Sequence, residues 1–339
     1  MLNANARKNF TACGDVKAEE LLEKVLSEMK ERFSGTDLCV VLGGSYGRGD
    51  GGVRQDQENG ILYNDLDFFV FARKKCDNAE VLLKEIAGKY EKELKVDVDF
   101  SRIMSIKDMK NNARRLMMQE LKRGYRLVAG EDLLAEYLPE FPAEEIPFSE
   151  ACRLWLNRGM GLLLAWEKIA ANSADTDFIL RNINKAILGA CDAALIAEGK
   201  YKWTIGERLT EINHSELNAD CKELYARAVA FKKSPNREMA QDLKKLWFSV
   251  RDIFRECMEY GCSDSCAAIW LMCEKDREVS LKNYVKYSIK SRTLPLMNWK
   301  FYTMPAVAVL ANEVFWQLDR REPDPVSESK LYQQWLIFN

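Results

Sequence analysis

The chain has 339 residues, with 50 Lys and Arg against 52 Asp and Glu, a formal net charge of -2, ten cysteines and one histidine. That length exceeds the usual single hydrophobic core, so two domains are expected, and the interspersed, nearly balanced charge leaves no electrostatic footprint for duplex nucleic acid. With His214 alone, a Ser-His-Asp triad, a His-rich metal centre and a His proton relay are poorly supplied.

In chain order, Leu21, Leu22, Val25, Leu26, Met29 and Phe33 make an apolar stripe at helical spacing, with Asp15 placed as its N-cap. Leu38 to Leu42 is short, apolar and β-branched, and reads as a buried strand that stops at Gly43-Gly44-Ser45. In Asn64-Asp65-Leu66-Asp67-Phe68-Phe69-Val70-Phe71, the period of two puts Asp65 and Asp67 on one face at the mouth of a second strand. Residues 79–93 read as a helix, and Lys95 to Phe100 as a third, alternating strand carrying Asp97 and Asp99. A capping-box variant, Ser105 with Asp108, opens a helix that runs to Gly124. Tyr125 to Gly130 gives a short strand, and Pro139, Pro142 and Pro147 mark a linker. From about residue 149 the pattern is helical throughout. The Trp- and Tyr-rich carboxyl-terminal part reads as buried packing, with Pro305 as the first residue of a helix.

The chemistry sits in residues 43–71. Glycines at the end of a strand let the backbone approach a bulky anion, and successive amide N–H groups with the Ser45 hydroxyl can donate to phosphate oxygens. Asp65 and Asp67, side by side, repel each other unless a cation lies between them, and oxygen-only ligands favour Mg²⁺ or Mn²⁺. Asp97 is the first choice for a third carboxylate and general base, with Asp99 on the same face as the alternative. Arg48 can reach a phosphate as a bidentate donor or hold the long following loop through Asp50 or Asp56. Arg54, Lys74 and Lys75 read as solvated. A bland reading also exists for each part: a glycine turn can be only a turn, and Asp-x-Asp at a strand end can be a solvated edge.

Gly44-Ser45, Asp65-Leu66-Asp67 and Asp97 together resemble the DNA polymerase β-like nucleotidyltransferase superfamily, and Val96 to Phe100 looks like the third-carboxylate strand of kanamycin-type members. The stretch between Ser45 and Asp65 is longer than that family usually has and carries its own Gly49-Asp50-Gly51-Gly52, which reads as an active-site loop. The resemblance covers roughly the first 140 residues, including a closing Glu131-Asp132-Leu133-Leu134. Arg181 to Tyr201 resembles the helical substrate-binding domains that follow such modules, aminoglycoside-type and HEPN-like bundles among them. Lys185 and Asp192 there can face a cleft or serve ordinary surface roles.

The resemblance implies an α+β chain: a nucleotidyltransferase domain over 1–146, with a short mixed sheet flanked by helices, then an all-α helical bundle over 147–339, with the active site in the cleft between. It implies Mg (or Mn) at Asp65, Asp67 and Asp97, an NTP donor held by Gly44, Ser45 and Arg48, and a small-molecule or protein hydroxyl as acceptor. Protein nucleotidylation, RNA tailing, a non-catalytic nucleotide-binding module and a HEPN-like RNA-directed role, suggested by Arg208 six positions before His214, are the alternatives. No stretch approaches the ~20 apolar residues of a membrane span, and MLNANARKNF lacks a signal-peptide core, so a soluble, cytoplasmic protein is expected. The cysteines, scattered through apolar patterns, read as buried free thiols. Cys257, Cys262, Cys266 and Cys273 cluster in sequence without CxxC spacing.

Overall fold

The computed structural model describes residues 9–54, 62–74, 79–236, 242–262 and 306–338. It divides into two compact units, Met1–Pro142 with Ala230–Asn236, and Ala143–Val229 with Arg237–Asn339. The division falls after Pro142, four residues before the boundary placed at 146/147, and the segment 230–236 joins the first unit.

The first unit is built on a mixed sheet. Strand β1 (Leu38–Leu42) is central; β2 (Leu66–Ala72) and β5 (Arg126–Ala129) flank it antiparallel, and β3 (Val98–Phe100) and the two-residue β4 (Met104–Ser105) run parallel to β2. Both faces of β1 are buried, which is why its sequence is apolar without alternation. On one face, Val40, Leu42, Phe68 and Val70 pack against Leu22, Val25 and Met29 of α1 (Val16–Arg32) and Leu83, Ile86 and Tyr90 of α3 (Ala79–Leu94). On the other, Cys39, Val41 and Phe71 meet Met109 of α4 (Ile106–Asn111), Met118 and Leu121 of α5 (Leu116–Arg123), and Leu133 and Leu134 of α6 (Leu133–Tyr137). Between β1 and β2 lies the one-turn helix α2 (Gly44–Arg48), where the sequence suggests a plain glycine turn.

The caps follow local chemistry. Asp15 Oδ1 accepts the Ala18 N–H at 2.9 Å and opens α1, and Ser105 and Asp108 form the reciprocal box at the start of α4. The helix expected to run from there to Gly124 is instead broken into α4 and α5. The Asn112 side chain and backbone N–H both donate to the Asp108 carbonyl, at 2.7 and 3.1 Å, and beyond it the chain tightens into i→i+3 turns, Ala113 N–H to the Lys110 carbonyl at 3.3 Å and Arg115 N–H to the Asn112 carbonyl at 2.9 Å. Strand β3 is shorter than expected, because Lys95 turns left-handed (φ 57°) at the end of α3 and pairing begins only at Val98.

The second unit is helical: α7 (Phe148–Ala170), α8 (Thr176–Ala197), α9 (Ile205–His214), most of α10 (Ala219–Lys233), α11 (Leu243–Cys262), α12 (Ala306–Leu318) and α13 (Lys330–Phe338). Trp155 and Trp247 are fully buried, and the Trp247 indole donates to the Leu162 carbonyl at 2.7 Å. Trp316, by contrast, is 55% exposed, so not every aromatic of the carboxyl-terminal part is core. Pro305 lies outside the described residues, which resume with α12 at Ala306.

Candidate active site

Strand directions bring the separated motifs to one end of the sheet. Because β2 is antiparallel to β1, with Leu42 opposite Phe68, the end of β1 meets the start of β2; because β3 is parallel to β2, it starts at that same end. The Gly43 N–H donates to the Asp67 carbonyl at 2.8 Å, tying the turn to the Asp-x-Asp strand. Gly44 has φ +59°, a region that L side chains rarely adopt. A Cβ built on it would lie 2.0 Å from Asp67 Oδ2, so the carboxylate occupies the space a side chain would fill. Gly44 therefore serves close approach and backbone conformation at once, and Ser45 follows half-buried in the first turn of α2.

On β3 the register pairs Leu66 with Val98 and Asp67 with Asp99, and the Leu66 N–H donates to the Asp97 carbonyl at 2.9 Å. In-register residues of parallel neighbours share a face, so Asp99 stands beside Asp67, and one pleat earlier Asp97 stands beside Asp65. The sequence favours Asp97; the paired stretch itself contains Asp99. Asp65 and Asp67 are half-buried, and Asp97 and Asp99 are exposed at the strand edge. Asp99 takes up its proton more readily than an ordinary aspartate, first through partial burial and then through the charges of Asp65, Asp97 and Glu91. Among the described residues no three carboxylate oxygens converge within 4.8 Å of one another; the group that does so is formed by sulfurs. Like charges splay apart, while the backbone holds their Cα atoms at one sheet end.

Arg48 lies across the start of β5, its Cγ 2.3 Å from where a Cβ on Gly124 would stand. Its guanidinium is 3.5 Å from Glu120 on α5 and 3.9 Å from Asp50, so the loop-holding alternative has visible partners. Gly124 ends α5 as expected, but in an extended conformation (φ -159°), and close packing on Arg48 explains the missing side chain. Arg54 is half-buried, 6.0 Å from the Tyr63 ring centroid, rather than solvated; Lys74 is exposed, and Lys75 is outside the described residues.

The long loop is closed at its base by a residue that no motif flags. Tyr46 is fully buried, and its hydroxyl donates to the Gly52 carbonyl at 2.8 Å while accepting the N–H groups of Tyr63 at 3.0 Å and Asn64 at 3.3 Å. Asn64 Oδ1 accepts the Gly52 N–H at 2.7 Å, and Val53 bridges Leu62, so both ends of the loop are pinned immediately before Asp65. Phe231 packs edge-on against Tyr63 at 5.8 Å. The segment 55–61 lies outside the described residues.

In the second unit, Arg208 is buried. It forms an ion pair with Asp192 at 3.0 Å and donates to the Tyr201 hydroxyl at 3.0 Å and the Lys202 carbonyl at 2.9 Å, whereas His214 is exposed at the last position of α9. Asp192 also accepts from Tyr225 at 2.8 Å, so it serves packing, and Lys185 is half-buried. No helix among the described residues is long and apolar enough to cross a membrane. Cys39, Cys152, Cys191, Cys221 and Cys257 are buried free thiols, while Cys13 is exposed. Of the cluster predicted near Cys257, Cys266 and Cys273 lie outside the described residues.

No curated protein matches the chain. The family model described as "Putative nucleotidyltransferase DUF294" matches residues 4–96, which span β1, the glycine turn and Asp65-Leu66-Asp67. The amino-terminal region is thus similar to a nucleotidyltransferase-type domain.

Proposed function

We propose that the chain is a Mg-dependent (or Mn-dependent) nucleotidyltransferase that moves a nucleoside monophosphate from an NTP to a hydroxyl on a small molecule or protein. The observation that carries this reading is the seating of the Asp67 carboxylate directly against Gly44, with Asp65, Asp97 and Asp99 at the same sheet end. The donor set fits a hard divalent cation: all four groups offer oxygen alone, and Asp99, its proton affinity raised first by partial burial and then by Asp65, Asp97 and Glu91, stands where a cation would offset both. Asp65 and Asp67 would hold two metals together with a third carboxylate, Asp97 just before β3 or Asp99 within it. Asp97 is the choice from sequence, and Asp99 is the one favoured by register and crowding. Bound there, divalent ions would supply Lewis-acid polarisation of the α-phosphate and neutralise charge on the leaving pyrophosphate.

The chain's own residues do the rest. The amides of Gly44 and Ser45 and the Ser45 hydroxyl hold the triphosphate, and Arg48 steadies the loop through Glu120 and Asp50. The acceptor oxygen attacks the α-phosphorus in line, the bond to the bridging oxygen breaks, and the acceptor proton passes to a β3 carboxylate. The test is pyrophosphate release from each NTP in the presence of pooled small-molecule and protein acceptors. Release by the wild type that is abolished in both Asp65→Asn and Asp67→Asn supports the reading, and equal release by the variants refutes it.

A further inference from the structure

Three cysteines far apart in the chain meet in the core of the second unit. Cys191 lies on α8, Cys221 on α10 and Cys257 on α11, and each side chain is fully buried. Their sulfurs form a nearly equilateral triangle: Cys191 to Cys221 is 3.5 Å, Cys191 to Cys257 is 3.7 Å and Cys221 to Cys257 is 3.8 Å. Among the described residues this is the one group of three His, Cys, Asp or Glu ligand atoms that converge within 4.8 Å.

We propose that Cys191, Cys221 and Cys257 bind a single thiophilic metal ion, Zn²⁺ or Cu⁺, in three-coordinate thiolate geometry. The centre of the triangle lies about 2.1 Å from each sulfur, and a zinc–thiolate bond is ~2.3 Å, so an ion fits slightly out of the sulfur plane with no movement of the helices. Thiolate ligands select soft ions such as Cu⁺ and Zn²⁺ over the hard cations suited to the aspartates, so the two sites do not compete for one metal. Among the described residues no fourth His, Cys, Asp or Glu ligand atom joins the triangle. Asp192, next to Cys191, is committed to Arg208 at 3.0 Å and to the Tyr225 hydroxyl at 2.8 Å. Without an ion the three buried sulfurs are neutral thiols; a cation at their centre offsets the charge of the thiolates that form on binding and cross-links α8, α10 and α11. On binding, each thiol gives up its proton to solvent as its sulfur lone pair bonds the ion, with no change of oxidation state.

The test uses the full chain, stripped of metal with a chelator under reducing, anaerobic conditions and titrated with Zn²⁺ and, separately, Cu⁺. The expected result is one ion per chain in at least one of the two titrations, with an X-ray absorption spectrum at that metal's edge showing a shell of three sulfurs. Cys191→Ser and Cys221→Ser should each weaken binding by more than the roughly 10- to 100-fold that loss of an outer-shell partner costs. Cys152→Ser, which replaces a buried thiol of α7 outside the triangle, should leave binding unchanged. Failure of both ions to bind, a nitrogen and oxygen shell, or binding indifferent to the cysteine replacements would each mean that the three thiols are only packed core. If the serine variants do not fold, the absorption spectrum of the wild-type protein decides alone.

Discussion

Replacing Gly44 by Ala separates two physical costs that meet at that position. The first is backbone: Gly44 has φ +59°, and placing an L residue in the left-handed region costs roughly 1–2 kcal/mol, partly offset by the lower chain entropy of alanine when unfolded. The second is steric, because the new Cβ would stand 2.0 Å from Asp67 Oδ2 and the carboxylate must move. Overpacking of this kind costs typically ~1–3 kcal/mol. Gly35 supplies the control, since it has φ +79° but nothing within 4 Å of a built Cβ. Gly35→Ala should therefore cost about 1 kcal/mol, and Gly44→Ala about 2–4 kcal/mol, by denaturant unfolding with unchanged slope. Asp67→Ala added to Gly44→Ala should recover the steric share, giving a coupling of ~1–3 kcal/mol in a double-mutant cycle. Equal costs at the two glycines, or a cycle with no coupling, would refute the seating of Asp67 against the turn.

Three further outcomes follow from the geometry. Tyr46→Phe removes one buried acceptor and donor, leaving the Tyr63 N–H on the Gly52 carbonyl alone at 3.1 Å and taking the hydroxyl from the Asn64 N–H, so it should cost about 1–3 kcal/mol in unfolding and lower nucleotide affinity by displacing Asp65; unchanged stability would exclude the hydroxyl as the loop's anchor. Asp192→Asn leaves the buried Arg208 cation without its carboxylate and should cost about 3 kcal/mol, whereas a loss within experimental error would mean that the carbonyls around Arg208 suffice. Asp99, whose proton affinity is raised by burial and then by Asp65, Asp97 and Glu91, contributes stability that is present in acid and lost as pH rises through its raised pKa. In metal-free protein, Asp99→Asn should accordingly raise Tm at neutral pH, by an amount that shrinks on acidification below the ordinary carboxylate range; a gain independent of pH would contradict the raised proton affinity of Asp99.

Much of the first unit is legible in the sequence, because local signals and burial agree there. The bounds of β1, the Asp15 cap and apolar stripe of α1, and the Ser105–Asp108 box come from residues whose partners lie within one or two turns. The helical second half is legible for the same reason, since periodicity survives whatever the helices pack against. The break between α4 and α5 is not legible, because it is made by i→i+3 turns at Ala113 and Arg115 in a stretch with no Gly or Pro to mark it. Nor does spacing reveal that Arg48 meets Glu120, that Tyr46 joins Gly52 to Tyr63, or that Cys257 gathers with Cys191 and Cys221 instead of its neighbours in sequence. Each of these contacts is made by tertiary packing. At the candidate site, sequence alone puts Asp65 and Asp67 on one face, but only strand pairing shows that Asp99 stands opposite Asp67.

Calorimetric titration of each of the four NTPs, with Mg²⁺, into the wild-type chain and into Asp65→Asn distinguishes a working nucleotide site from a vestigial one. Metal-dependent binding of at least one NTP, lost in the variant, is expected; binding of no NTP, or binding indifferent to both Mg²⁺ and Asp65, would rule out nucleotidyl transfer at this sheet end.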